Sequence, residues 1–441
     1  MKVIEGFEAA KLALSRQTAT ASYSVSPVLK RRLGEMFGTD EPGQVVRQII
    51  DEVRRRGDAA LFDYTLKIDG VELTSLDVTK KQIASAYQEV NQELLAALKL
   101  AADRIRSFHL AQKSGVWRGV TTKANLGQLI RPLERVGIYA PGGTACYPST
   151  VLMTAIPAKV AGVSEVILAT PPGSNGAVPP ATLVAADIAG VDRVFSTGGA
   201  QAIAALAFGT ESVPRVDKVC GPGNIFVVLA KKLVYGVVGI DSLPGPSEVL
   251  IIADETANPE YCAADLLAQA EHDPLASAIL VTTSQRLAEK INHEVEVQLT
   301  SLPRQSIATE SLESRGMIVV VTNISEAIEL ANLYAPEHLC LMVDQAESYL
   351  DKVSNAGCIV IGRISTVVLG DYVAGPSHVL PTEGTARFSS PLNITDFIKF
   401  TSLINVDETQ LNELWQATVT IARAEGLEAH ARAVEKRLKK G

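Results

Sequence analysis

From about residue 135 to residue 365 the chain repeats one rhythm: a short aliphatic run, a turn bearing glycine or proline, then a helical stretch. Strands separated by helical segments pair in parallel through crossovers, so this rhythm predicts parallel sheets covered by helices on both faces. Val136–Tyr139, Glu165–Ala169, Arg193–Ser196 and Lys218–Cys220 read as strands of a first series. Helices over Thr150–Val160, Ala181–Ala189 and Ala200–Phe208 separate them, and Gly221-Pro222-Gly223 opens another. After Pro244-Gly245-Pro246 the rhythm restarts, with strands at Glu248–Ala253, Ser277–Thr282, Met317–Thr322, Leu339–Val343 and Gly357–Ile361. Helices begin near Pro259, Ser284, Ser325 and Gln345. The predicted class is α/β: two doubly wound, incomplete Rossmann-like units with helical extensions at both ends, and no clear sequence repeat between the units.

The flanks read as helix. Val45, Val46, Ile49, Ile50 and Val53 share one face of Gln44–Arg56, which Gly57 stops. Ile83, Tyr87, Val90, Leu94, Leu95, Leu98 and Ile105 mark one buried face over Lys81–Ser107. From about Pro391 the chain reads as helical again, with amphipathic stretches at Gln410–Glu425 and Glu428–Lys440 broken by Gly426.

Composition narrows the function classes. The chain has 441 residues, 47% of them apolar and 20% charged, enough for large cores and unlike a disordered or collagen-like chain. A net charge of −8 without a Lys/Arg stripe speaks against a nucleic-acid partner. The acidic start, Met1 to Glu8, does not read as a signal peptide, and no apolar run is long enough to span a membrane. The five cysteines, Cys146, Cys220, Cys262, Cys340 and Cys358, form no C-x-x-C pair. That pattern fits a reducing cytoplasm and argues against a disulfide framework or a cysteine zinc site.

Four histidine-bearing strings carry the candidate chemistry. In Gln269-Ala270-Glu271-His272, an amide and an imidazole three residues apart leave one face of a helix end, before Pro274. They suit two metal positions, or simply a polar C-terminal turn. In Tyr334-Ala335-Pro336-Glu337-His338-Leu339, a carboxylate and an imidazole sit at a loop-to-strand junction. There they suit general acid–base work, or a surface Glu beside a hydrogen-bonded His. The irregular run Gly370-Asp371 to His378-Val379-Leu380-Pro381-Thr382 follows the last strand, where α/β proteins keep binding loops. Asp371 is a possible anionic metal ligand and His378 a substrate contact, the alternative being an Asx turn beside a loop histidine. Glu425-Gly426-Leu427-Glu428-Ala429-His430 reads by itself as a solvated helix, and His109 and His293 as structural or surface residues.

Three glycine-rich turns follow strands and open helices: Tyr139-Ala140-Pro141-Gly142-Gly143, Gly198-Gly199-Ala200-Gln201 and Gly221-Pro222-Gly223-Asn224. Such turns favour pyrophosphate, although βα turns also use glycine for steric reasons. The standard G-x-G-x-x-G fingerprint is absent.

Taken in order with Gly245-Pro246-Ser247-Glu248, these strings resemble histidinol dehydrogenase from about residue 30 to the end. The resemblance implies a zinc- and NAD-dependent, four-electron oxidation of L-histidinol through L-histidinal to L-histidine, the last step of histidine biosynthesis. It implies Gln269, His272, Asp371 and His430 as zinc ligands and Glu337 and His338 as the acid–base pair. Tyr139, Gln201 and Asn224 would line the NAD site, while Ser247, His378 and Glu425 would contact substrate alongside His338 and the metal ligands. The family's C-terminal arm crosses to a second subunit, so a homodimer with shared sites is expected. The implied partition is a helical extension over 1–27, a first α/β domain over 28–138 and 247–390, an NAD-binding domain over 139–246, and an arm over 391–441. One departure is Pro244, where the family usually has alanine.

Two imidazoles, a carboxylate and an amide form a donor set acceptable to Zn2+. Two adjacent bases also match the two deprotonations of a two-step oxidation. Competing readings are a related Zn/NAD dehydrogenase of another amino alcohol or polyol, and a zinc hydrolase using Glu337 on a metal-bound water. A non-catalytic metal-stabilised binding protein would leave the Glu337-His338 pair unexplained.

Overall fold

The computed structural model describes residues 1–15, 26–116, 126–142 and 146–438. Gly143, the last glycine of the first turn, lies outside them. Two all-parallel sheets form the body. In the first the strands lie in the order Arg193–Ser196, Glu165–Thr170, Arg135–Tyr139, Lys218–Cys220, Gly239–Ile240. In the second the order is Lys2–Glu5, Met317–Val320, Ser277–Thr282, Glu248–Ala253, His338–Met342, Cys358–Ile361. Apart from the added N-terminal strand, each sheet places its third strand outermost, then the second, first, fourth and fifth. The order in which strands are added reverses between the first and fourth strands, which opens a crevice at that point in each sheet.

Burial follows from helices on both faces. Val136, Ile138 and Leu168 of the five-stranded sheet pack against Val151, Leu152 and Val184 of helices Pro148–Ala161 and Pro180–Ala189. Ile167 and Val219 face Ile203, Leu206 and Val227 on the other side. Glu248–Ala253 and Ser277–Thr282 are buried throughout, as expected of central parallel strands.

Several elements depart from the expectations. The partition grouping 28–138 with 247–390 does not match the packing. Val45, Val46, Ile49 and Val53 of helix Pro42–Arg56 lie in one core with Ile203 and Val227, and Leu98, Ala102 and Ile105 join Leu152 and Leu183. Their apolar faces complete the layers of the five-stranded sheet, and the proposed boundary at 138/139 cuts its central strand. Residues 1–27 are not wholly helical, since Lys2–Glu5 extends the six-stranded sheet. The helix expected over Lys81–Ser107 is two helices, Lys80–Glu89 and Gln92–Val116. Val90 is extended there, and Asn91 Oδ1 accepts from Leu94 N–H at 2.7 Å, a cap that starts a new helix. The tail is not helical from 391, because Ile398–Ile404 pairs antiparallel with Leu126–Pro132. Near Gln345 there is a 3-10 turn, Ala346–Lys352.

Candidate active site

The candidate acid–base pair stands at the amino edge of the six-stranded sheet. Pro336 and the positive φ of Ala335 (51°) end helix Ile324–Tyr334 and swing the chain into the strand that begins at His338. Glu337 and His338 are both buried. His338 Nδ1 donates to the Glu248 carbonyl at 3.2 Å and lies 3.8 Å from Glu337 Oε2. Its Nε2 is 3.6 Å from Asp371 Oδ1. Glu337 Oε2 accepts from Glu248 N–H at 2.8 Å, fixing the carboxylate at the start of the neighbouring strand.

Helices returning from the far end deliver the remaining groups. Pro259–Ala270, capped by Asn258, ends beside the pair with Gln269 buried and His272 exposed. The short helix Val367–Tyr372 brings Asp371, whose carbonyl accepts from His378 Nδ1 at 2.7 Å. Ser247 precedes Glu248, and Gly245 N–H donates to Thr382 Oγ1 at 2.6 Å, tying that turn to the His378 loop. A cavity of 330 Å³ opens here, lined in part by His338, Cys358, Thr366, Gly370 and His378.

Electrostatics reflects this crowding. Burial pushes the Glu337 carboxyl up to about 7, against the opposing pull of His338 and Glu248 N–H. Burial alone would depress His338, but the Glu337 and Asp371 carboxylates outweigh it and raise the imidazole to about 9. Asp371 stays below the usual carboxylate range despite burial, because His338, His378 and His272 all face it. Burial lowers His378.

Asp265, one turn before Gln269, was not singled out from sequence. It is buried, accepts from Thr366 Oγ1 at 2.5 Å, and is desolvated into a raised pKa. Its spacing of four from Gln269 was the available signal.

The donor set fits a cation in part within one chain. His272 and His378 face Asp371 beside His338, and one carboxylate facing several imidazoles is a reasonable zinc environment, with Gln269 buried one turn before His272. Among the described residues, however, no three His, Cys, Asp or Glu side chains are set to hold a metal ion. His430 and Glu425 are exposed on the terminal arm, whose helices Glu408–Ala424 and Glu428–Glu435 share only a small core around Val419, Ala422 and Ala431. The single chain therefore does not bring those two residues to the pair.

The dinucleotide candidates lie at the carboxyl edge of the five-stranded sheet. Tyr139 is buried, its phenol raised to about 12 by burial, and its hydroxyl accepts from Gly199 N–H at 3.1 Å. Gly199 has φ 63°, a conformation glycine adopts without strain. Gln201 is buried with neither side-chain amide atom partnered among the described residues. Asn224 caps helix Ile225–Val234 by accepting from Phe226 and Val227 N–H. The turn before it is clamped by groups the sequence reading missed. Buried Lys231 Nζ pairs with Asp241 and donates to Gly221 O at 3.0 Å, while Asp241 Oδ2 accepts from Gly221 N–H at 2.7 Å. Glycine-rich turns, a helix start and an unpartnered buried amide fit a dinucleotide.

Two doubly wound parallel sheets with a buried Glu–His pair between helix ends define an α/β protein with the architecture of an enzyme. A sequence model described as histidinol dehydrogenase matches residues 36–438. A histidinol dehydrogenase of Dehalococcoides mccartyi is 57% identical over 99% of this chain and 100% of its own. That of Clostridium acetobutylicum is 52% identical over 90% of this chain and 92% of its own. The crystal structure of histidinol dehydrogenase from Elizabethkingia anophelis superimposes with a TM-score of 0.90 at 37% identity, covering 99% of this chain and 98% of that one. The chain belongs to the histidinol dehydrogenase family.

Proposed function

We propose that this enzyme oxidises L-histidinol through L-histidinal to L-histidine with two NAD+, closing histidine biosynthesis, with one Zn2+ at each site. The supporting observation is the pair itself: two buried bases 3.8 Å apart, adjacent in sequence and serving two successive deprotonations. When bound, NAD+ would supply the hydride acceptor and zinc would supply a Lewis acid to orient the imidazole and amine of histidinol.

The chain's own groups do the rest. His338 Nδ1–H is committed to the Glu248 carbonyl, so in the neutral imidazole, the form present above its raised pKa of about 9, Nε2 is the atom that takes the alcohol proton and later the proton of the hydrated aldehyde. Glu337, held by Glu248 N–H, activates the water that hydrates the aldehyde. Ser247 and His378 line the substrate side, and Glu425 and His430 serve the site of a second copy. Tyr139, Gln201 and Asn224 form the NAD side. Gln269, His272 and Asp371 would hold the zinc with His430 of the other chain.

The arm supports a homodimer with shared sites. Phe400, Leu403, Ile404, Leu414, Ile421 and Leu427 are exposed apolar residues on a segment with little core of its own, a face that a second copy would cover. No described helix is long and apolar enough to cross a membrane, and the cysteines are all free, which supports a cytoplasmic site of action.

NADH formed per histidine is the decisive measurement. Two NADH per L-histidinol consumed is the expected ratio, lost on chelation. One NADH with accumulating aldehyde, or turnover of another amino alcohol or polyol in preference to histidinol, overturns the reading.

A further inference from the structure

The carboxyl edge of the five-stranded sheet holds an acid for which the reaction above has no use. Thr65–Asp69 is a single π-helical turn, closed by Gly70 at φ 72°. Such widened turns recur at functional sites, where they re-aim side chains. Both ends of this one carry a buried oxygen without a partner among the described residues, Thr65 Oγ1 and Asp69 Oδ2.

The following residues fix where the turn sits. Ser196 N–H donates to Leu76 O at 2.7 Å and Asp77 bridges to Phe195, so the segment runs along the outermost strand. A Cβ on Gly176, in the loop after Glu165–Thr170, would stand 3.5 Å from Val71. Asp69 therefore lies at the end where the dinucleotide candidates emerge, and its charge adds to the upward shift of the Tyr139 phenol. Four further buried atoms at this edge lack partners among the described residues: Ser196 Oγ, Thr197 Oγ1, and Gln201 Oε1 and Nε2. A native fold pairs nearly all such atoms, so a cluster of them at one sheet edge marks the place of a polar ligand.

We propose that Asp69 accepts hydrogen bonds from the vicinal hydroxyls of a ribose of the bound dinucleotide, with Gln201, Ser196 and Thr197 forming the rest of that polar wall. An ionised carboxylate is acceptor-only and matches a diol, which offers two donors. It would repel the phosphates, which belong to the glycine-rich turns instead. The inference rests on the NAD reading above and adds a residue to it.

The test uses the full-length enzyme with L-histidinol and zinc. Asp69→Asn and Asp69→Ala should raise the KM for NAD about ten- to a hundredfold, while kcat at saturating NAD and the KM for histidinol change less than about twofold. The thermal midpoint should not fall, because an unpartnered, desolvated carboxylate has been removed. Fragment titrations locate the sugar: loss of AMP affinity in Asp69→Asn identifies the adenosine ribose, and loss of nicotinamide mononucleotide affinity the other. An unchanged KM for NAD in both variants, or a lowered thermal midpoint with NAD and histidinol kinetics impaired together, overturns the proposal. A parent enzyme that binds no NAD overturns the NAD reading itself, a result distinct from variants that bind like the parent.

Discussion

The two sheets share one strand order and work from opposite ends. In the five-stranded sheet the candidate ligand groups gather at the carboxyl edge of the crevice between Arg135–Tyr139 and Lys218–Cys220, the usual place for an open parallel sheet. In the six-stranded sheet the equivalent crevice lies between Glu248–Ala253 and His338–Met342, but Glu337, His338 and Glu248 cluster at the amino edge. Turn chemistry accounts for the difference. The first crevice is rimmed by Pro141-Gly142 and Gly221-Pro222-Gly223, with backbone open to an anion. The second is rimmed by Asp254, Glu255 and Asp344, which repel phosphate, and Asp254 accepts from Asp344 N–H. Topology offers a crevice at each switch point, and the turn residues decide whether an anion can use it.

The comparison meets its largest test at the amino edge. Glu337→Gln keeps the shape and the acceptor for Glu248 N–H but removes the base, so oxidation of L-histidinal should fall about 10²–10⁴-fold. Oxidation of L-histidinol to the aldehyde, which requires no activated water, should fall much less. Single-turnover NADH formation from each substrate measures the two losses, and equal losses would remove Glu337 from the water step.

Lys231→Met probes the other sheet. Asp241 would remain buried without its cation, and breaking such a pair costs about 3–5 kcal/mol. The turn at Gly221 (φ 117°), where a Cβ would lie 2.1 Å from the Tyr139 carbonyl oxygen, would lose its clamp. The KM for NAD should rise while zinc content stays constant. A fall in zinc content instead would show that the two edges do not act independently.

His430→Asn should weaken zinc retention on the order of 10–100-fold, as read by metal content after dialysis against a mild chelator. Mixed dimers of His430→Asn with His272→Asn chains should regain activity, since one of their two sites carries both ligands. Absence of recovery would mean that the arm serves its own chain.

Most of the strand–helix rhythm was legible because central parallel strands are continuous aliphatic runs, and Glu248–Ala253 and Ser277–Thr282 appear with the bounds the sequence reading assigned. Lys2–Glu5 was not legible: four residues with only Ile4 buried carry no period. Ile398–Ile404 was missed because its partner, Leu126–Pro132, is 266 residues earlier at the first pair of the register. The Glu337-His338 pair could be read as acid–base chemistry because it is contiguous. Asp69, Asp265 and the Lys231–Asp241 clamp could not, since each acts through burial and neighbours that only folding supplies. The arm's candidate ligands, Glu425 and His430, were signalled only by resemblance, because in one copy they face solvent.

The smallest expected effect bears on the unused crevice. Asp254 Oδ2 accepts from Asp344 N–H at 2.8 Å, and Oδ1 accepts from Thr256 N–H at 2.9 Å. These bonds close the two turns that flank the switch point of the six-stranded sheet. Asp254→Asn retains one acceptor and turns the other into a donor, so it should cost about 1 kcal/mol of stability. The KM values for NAD and histidinol should stay where they are, since no ligand is assigned to that edge. A thermal melt and one set of initial-rate curves suffice to measure both. If the KM for NAD moves while the melt does not, the carboxyl edge of the second sheet also meets the dinucleotide, and the division between anion-accepting and anion-repelling turns fails as an explanation.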